Sequence, residues 1–159
     1  MMIFCNPIKI DPAKITFSSI QVIRYQTEFH FQNGINMAAV KFTIELTVEH
    51  SQVDTFKKLA KEMNAIVRHN EPGTIQCQWF FHEGDDKWYL TEVFVNSDAF
   101  LKHLEDTCHK LEEILEIAEL SRFEVFGELS HAAKACIASF GVKYFTLWDG
   151  VSREGVAIA

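Results

Sequence analysis

The stretch that decides the fold is Thr74–Val95, TIQCQWFFHEGDDKWYLTEVFV. Two β-rich runs flank a polar turn at Glu83-Gly84-Asp85-Asp86, which reads as a hairpin. Ile75, Cys77, Trp79 and Phe81 fall on one alternation of the first run, and Phe80 falls on the other. In the second run Trp88, Leu90, Glu92 and Phe94 share one face by the two-residue period of a strand. Tyr89, Val93 and Val95 oppose them. Apolar residues on both alternations are expected of a sheet buried on both sides.

Upstream, Phe42, Ile44, Leu46 and Val48 alternate with Lys41, Thr43, Glu45 and Thr47, which predicts a strand. The period then changes. Val53, Phe56, Leu59, Ala60, Met63, Ile66 and Val67 recur at spacings of three and four, one apolar face of a helix. Ser51 is a candidate cap, with Asp54 placed as in a capping box. Glu71-Pro72-Gly73 stops the helix, since proline cannot continue it. Downstream of the hairpin, Asn96-Ser97-Asp98 caps a second helix whose stripe is Phe100, Leu104, Leu111, Leu115 and Ala118. A strand is predicted over Arg122–Glu128. A short helix follows, opened by Ser130 and stopped by Gly141, with Ala133, Ile137 and Phe140 on its buried side. A last strand is predicted over Val142–Trp148.

The order is β-α-β-β-α-β with a C-terminal α-β addition. The fold class is α+β with a ferredoxin-like antiparallel sheet. Two helices cover one face of a four-stranded sheet. The other face meets either a two-fold partner or another part of the same chain, and the homodimer is the simpler solution. Before the domain, Ile23, Tyr25, Thr27, Phe29 and Phe31 alternate with polar residues ahead of an Asn33-Gly34 turn. Residues 1–36 are therefore either an extension with one extra strand or a tail. Residues 37–153 form the domain and 154–159 a C-terminal tail.

Composition narrows the function classes. The chain has 159 residues, 48% hydrophobic and 23% charged, enough for one sizeable core. Its fourteen Phe and three Trp suit both a core and a pocket for flat ligands. A net charge of −7 argues against nucleic acid and against an anionic membrane surface. No apolar run approaches the ~20 residues of a spanning helix, and no secretory h-region follows the N-terminus. Cys5, Cys77, Cys108 and Cys136 form no CxxC pair, so free thiols in a cytoplasmic protein are expected. His103 and His109 stand about 240° apart around a helix, and no metal site is predicted.

Three short motifs add to this reading: Asn70-Glu71-Pro72-Gly73, then Leu90-Thr91-Glu92-Val93-Phe94, then Ser97-Asp98-Ala99-Phe100 with His103. Together the sequence resembles the antibiotic biosynthesis monooxygenase family over about Lys41–Glu128. The resemblance implies a dimeric α/β barrel and a pocket between the sheet and its own helices. It implies oxidation of a small aromatic or quinol-type molecule without a cofactor. His103 would be the proton acceptor and Glu92 its orienter, with Trp88, Leu90, Phe94 and Phe100 as substrate-binding residues. Haem chemistry is disfavoured, because Phe94 stands where such members often carry Trp and the first strand has no Asn. The alternative is a non-catalytic dimer that holds a small apolar ligand in the same pocket.

Overall fold

The computed structural model describes residues 39–82 and 84–150. The expected strand over Ile23–Phe31, the turn at Asn33-Gly34, Cys5, Glu83 and the last nine residues lie outside the described residues.

Strand β1 (Val40–Val48) leads through a short 3-10 turn into helix α1 (Val53–Asn70). The hairpin β2 (Thr74–Phe81) and β3 (Lys87–Phe94) follows, then α2 (Ser97–Ile117), β4 (Ala118–Phe126), α3 (His131–Ile137) and β5 (Lys143–Phe145). The sheet is open, in the order β2-β3-β1-β4-β5. β1 lies antiparallel between β3 and β4, and β5 joins β4 in parallel. This is the ferredoxin-like arrangement with one added edge strand.

The helices form as their capping chemistry dictates, with one exception. Asn96 accepts a hydrogen bond from the Ala99 amide through its side chain, and Ser130 does the same for Ala133. Gly141 ends the last helical turn in the left-handed region at φ 64°, where a side chain would be strained. Ser51 does not cap α1. It lies inside the preceding 3-10 turn, and Gln52 occupies the cap position without a side-chain bond.

Element boundaries also differ from the sequence reading. Ala118 belongs to β4, not to the stripe of α2, because Val48 of β1 pairs with it. The chain thus passes from helix to strand with no loop. β4 begins four residues before the expected Arg122 and ends at Phe126 rather than Glu128, and β5 is limited to Lys143–Phe145. In β2 a register shift between Thr74 and Gln76 takes Ile75 off the alternation it was expected to share with Cys77 and Trp79, and it is exposed.

The core divides into two clusters under the helices. One gathers Val40, Phe42, Phe94, Phe100, Phe123, Val125 and Ile137, with the Phe42 ring 4.5 Å from Phe100 and 5.2 Å from Phe94. The other gathers Leu46, Val48, Phe56, Met63, Trp88 and Ile114. Ile44 packs against both. The opposite face of the sheet is mixed. Phe80 is exposed there beside Tyr89, while Glu45 pairs with Lys87 and Arg122.

Candidate functional site

A buried polar group sits among these apolar side chains. It begins with Glu71, the residue that ends α1. Its backbone N–H still bonds the Val67 carbonyl, so the helix ends with Glu71 fixed in place. The following turn is closed by Thr74 N–H to Glu71 O and by Val95 N–H to Gly73 O. Gly73 lies so close to α2 that a Cβ there would stand 2.7 Å from the Ala99 Cβ. Glycine is needed for that approach. The approach brings the start of α2 against the end of α1.

His103 lies on α2, two turns from its start, and its ring enters the gap. Its Nδ1 is 2.8 Å from Oε2 of Glu71, and its Nε2 is 3.1 Å from Oε1 of Glu92. All three residues are buried, at 5%, 5% and 2% exposure for His103, Glu71 and Glu92. The Phe94 ring packs against the imidazole at 5.2 Å. Thr74 donates its hydroxyl to the same Glu71 oxygen at 2.7 Å, while Oε1 of Glu71 has no partner among the described residues. On the other side, the Cys77 thiol lies 3.7 Å from Glu92 Oε1 and 3.2 Å from Asn64 Oδ1. Asn64 also receives the Trp79 indole N–H at 3.1 Å.

The electrostatics follow from this geometry. Burial alone would lower the pKa of His103, but the charge of Glu92 and the bonds to Glu71 and Glu92 outweigh it and push it up to about 10. For Glu71, burial acts upward, while the hydrogen bond and charge of His103 prevail and hold its carboxyl below the ordinary range. Cys77 is raised by burial and then by the charge of Glu92, so it stays a thiol and serves as a donor. At neutral pH His103 is an imidazolium whose two N–H groups each meet a carboxylate.

A cavity of about 50 Å³ adjoins this group between the two core clusters. Glu92, His103 and Thr107 are its polar lining, and Phe42, Ile44, Leu90, Phe100 and Phe123 are among its apolar walls. Of the residues expected at the pocket, Leu90, Phe100, Glu92 and His103 line it. Trp88 and Phe94 do not. Trp88 is taken up by Phe56 at 4.9 Å and Phe81 at 5.0 Å, and Phe94 lies behind the imidazole. Ile137 and Phe140, from the C-terminal addition, close the cavity on the side of β4. The Ser130 amide bonds the Ser97 side chain and fastens that addition to the start of α2.

Glu71, Asn64 and Cys77 were not singled out as site residues by sequence reasoning. In the sequence Glu71 reads only as part of the Glu71-Pro72-Gly73 helix stop. A glutamate before Pro-Gly is ordinarily solvated, and nothing local marks it as buried.

Residues 39–110 match the model of the family described as antibiotic biosynthesis monooxygenase. Among curated proteins there is no match to the chain. Among solved structures, MupZ from Pseudomonas fluorescens superposes with a TM-score of 0.68 at 19% identity, over 76% of this chain and 98% of that one. SnoaB from Streptomyces nogalater, a cofactor-independent oxygenase, gives 0.50 at 17% identity, over 58% and 95%. A conserved protein of unknown function from Bacteroides thetaiotaomicron, described as a possible oxidoreductase, gives 0.52 at 21% identity, over 57% and 97%. At these identities the likeness is one of fold.

Proposed function

We propose, from the premise that residues 39–110 form an antibiotic biosynthesis monooxygenase domain, that this protein oxidises a small electron-rich phenol or quinol with dioxygen, without a cofactor. The observation that carries the reading is a carboxylate and an imidazolium on the wall of an otherwise apolar cavity. A phenol in that cavity gives its hydroxyl proton to Glu92. The charge total is unchanged by the transfer, because the negative charge moves from Glu92 to the phenolate beside the His103 cation. The phenolate is electron-rich enough to reduce dioxygen stepwise. One oxygen atom becomes the new quinone carbonyl and the other leaves as water, so the substrate supplies every electron. Desolvation and orientation are the protein's part.

The roles expected from the sequence are exchanged in this scheme. Both nitrogens of His103 already face carboxylates, so Glu92 is the acceptor and His103 the charge beside it. Oxygen uptake with a panel of phenols and quinols, on metal-free protein, tests the reading. Turnover by the wild type that falls by a factor of about 100 or more in Glu92→Gln is the expected result for loss of a general base. No uptake across the panel, or equal turnover by the variant, would sink it.

A homodimer through the outer sheet face completes this picture, with Phe80 and Tyr89 as its apolar contribution. A second reading is a non-catalytic binding dimer of the same fold. The almost wholly apolar lining supports it, and in both readings the walls part around the ligand, since about 50 Å³ is less than the ~150 Å³ that accommodates a benzene ring. Native mass spectrometry of the purified protein separates the two. A ligand retained and never converted in air supports binding alone.

A further inference from the structure

We propose that Glu71 is a positioning residue which, from outside the cavity, fixes both the orientation and the charge of His103, so that Glu71, His103 and Glu92 work as one unit. The proposal rests on the oxygenase reading for its purpose, but not for its geometry.

Without Glu71 the imidazole would be held from one side only. Its Nδ1 would be a buried polar atom with no partner, a costly arrangement that is relieved by losing the proton or by turning the ring. Glu71 Oε2 at 2.8 Å removes both options. It accepts a hydrogen bond from Nδ1–H, and this directs Nε2–H to Glu92 at 3.1 Å. Glu71 is itself held. Its backbone closes the end of α1, and the Thr74 hydroxyl pins the same carboxylate oxygen at 2.7 Å. A cation held this way is in place before substrate arrives, and a preset charge needs no rearrangement as the phenolate forms.

The other groups facing this unit do not supply the same effect. From β3 there is Glu92 itself, and from β2 the Cys77 thiol, which acts on Glu92 as a donor. From α2, Lys102 acts on Glu71 through its charge and lowers that carboxyl further. No second carboxylate among the described residues bonds Nδ1. Removing Glu71 therefore leaves Glu92 alone to stabilise the ring's charge, and the protonation constant of His103 must fall.

The test is a pH titration of the His103 ring nitrogens by nitrogen-15 NMR on the full ligand-free chain. In the wild type, both nitrogens are expected to carry protons at pH 7 and 8. In Glu71→Gln the midpoint is expected to drop by more than one pH unit, a tenfold loss of protonation constant, with partial rescue in Glu71→Asp. Thr74→Val is a milder variant, useful if Glu71→Gln fails to fold, and should lower the midpoint by less. A wild-type ring that is neutral at pH 7, or midpoints unmoved by these substitutions, would overturn the proposal. The measurement needs no turnover, so failure of the oxygenase reading and failure of this one are read separately. Where a phenol is turned over, Glu71→Gln should lower kcat and leave KM nearly unchanged.

Discussion

Nε2 of His103 lies 3.1 Å from Oε1 of Glu92, in a part of the core where both side chains are almost fully removed from water. The pair joins α2 to the central hairpin at the cavity wall, and Glu71 joins the same ring to the end of α1. One imidazolium thus holds three elements, and its loss has consequences for stability, pH response and chemistry.

Replacing His103 by Leu should destabilise the fold by about 3–5 kcal/mol, the cost of leaving buried carboxylates without their cation. Urea denaturation of wild type and variant checks this. A further change of Glu71 to Gln and Glu92 to Gln in the His103→Leu background should recover part of the loss, because the uncompensated charges are then gone.

Stability should fall as pH rises from neutral to alkaline. The pKa of His103 in the folded chain is about 10, above its ordinary 6.5. The folded state therefore holds a proton that the unfolded chain has already released. This stabilisation is fully present below about pH 6.5 and is lost as pH rises through about 10. Glu71 has the opposite sign. Its folded pKa lies below the ordinary 4.5, so its stabilisation is present above pH 4.5 and is lost as pH falls through the lowered value. Thermal melts between pH 6 and 10.5 should show a declining Tm in the wild type and a flatter profile in His103→Gln.

Gly73→Ala should be more disruptive than its surface-turn position implies. The new methyl would meet the Ala99 Cβ at 2.7 Å and Val95 Cγ2 at 3.4 Å. Ala99 has no rotamer that moves away, so the turn and the start of α2 must separate. The expected cost is about 1–3 kcal/mol, as for overpacking. Denaturation measures it, and the His103 NMR titration should shift because Glu71 moves with the turn.

Phe140→Ala should enlarge the cavity from the side of the C-terminal addition. Its ring is half-buried, so the stability cost should be below the ~3–5 kcal/mol of a fully buried phenylalanine. Affinity for a bicyclic phenol should rise relative to a monocyclic one, measured by calorimetric titration of both. An unchanged ratio would mean that Phe140 is not the limiting wall.

The proposed dimer is better tested at Phe80 than at Val93. Val93 lies on the face opposite Glu92 but is already buried, so a charge there would damage the fold itself. Phe80 is half exposed on the same face. Phe80→Lys should leave the Tm of the monomer nearly unchanged and weaken self-association, read by sedimentation at several concentrations. A wild-type monomer throughout the micromolar range would remove the dimer from the reading.

The local periods in the sequence were enough for the element order and for the inward face of β3. Leu90 and Glu92 line the cavity because a strand alternates, and that rule needs no tertiary information. The caps at Asn96 and Ser130 were equally legible, since each side chain satisfies an amide three residues away. His103 was reached only through the resemblance, because a lone histidine on a helix has no local signature. The partition between pocket and core was not legible. Trp88 and Phe94 share a face with Leu90, but whether a ring meets space or another ring depends on Phe56, Phe81 and the imidazole, which come from elsewhere in the chain. Glu71 is the clearest case of what only the tertiary structure decided. It is 32 residues from His103 in sequence, and the contact exists because Gly73 lets the end of α1 approach the start of α2. Burial and pairing then determine its charge and that of the imidazole, and these depend on distances of a few ångströms that no local pattern encodes.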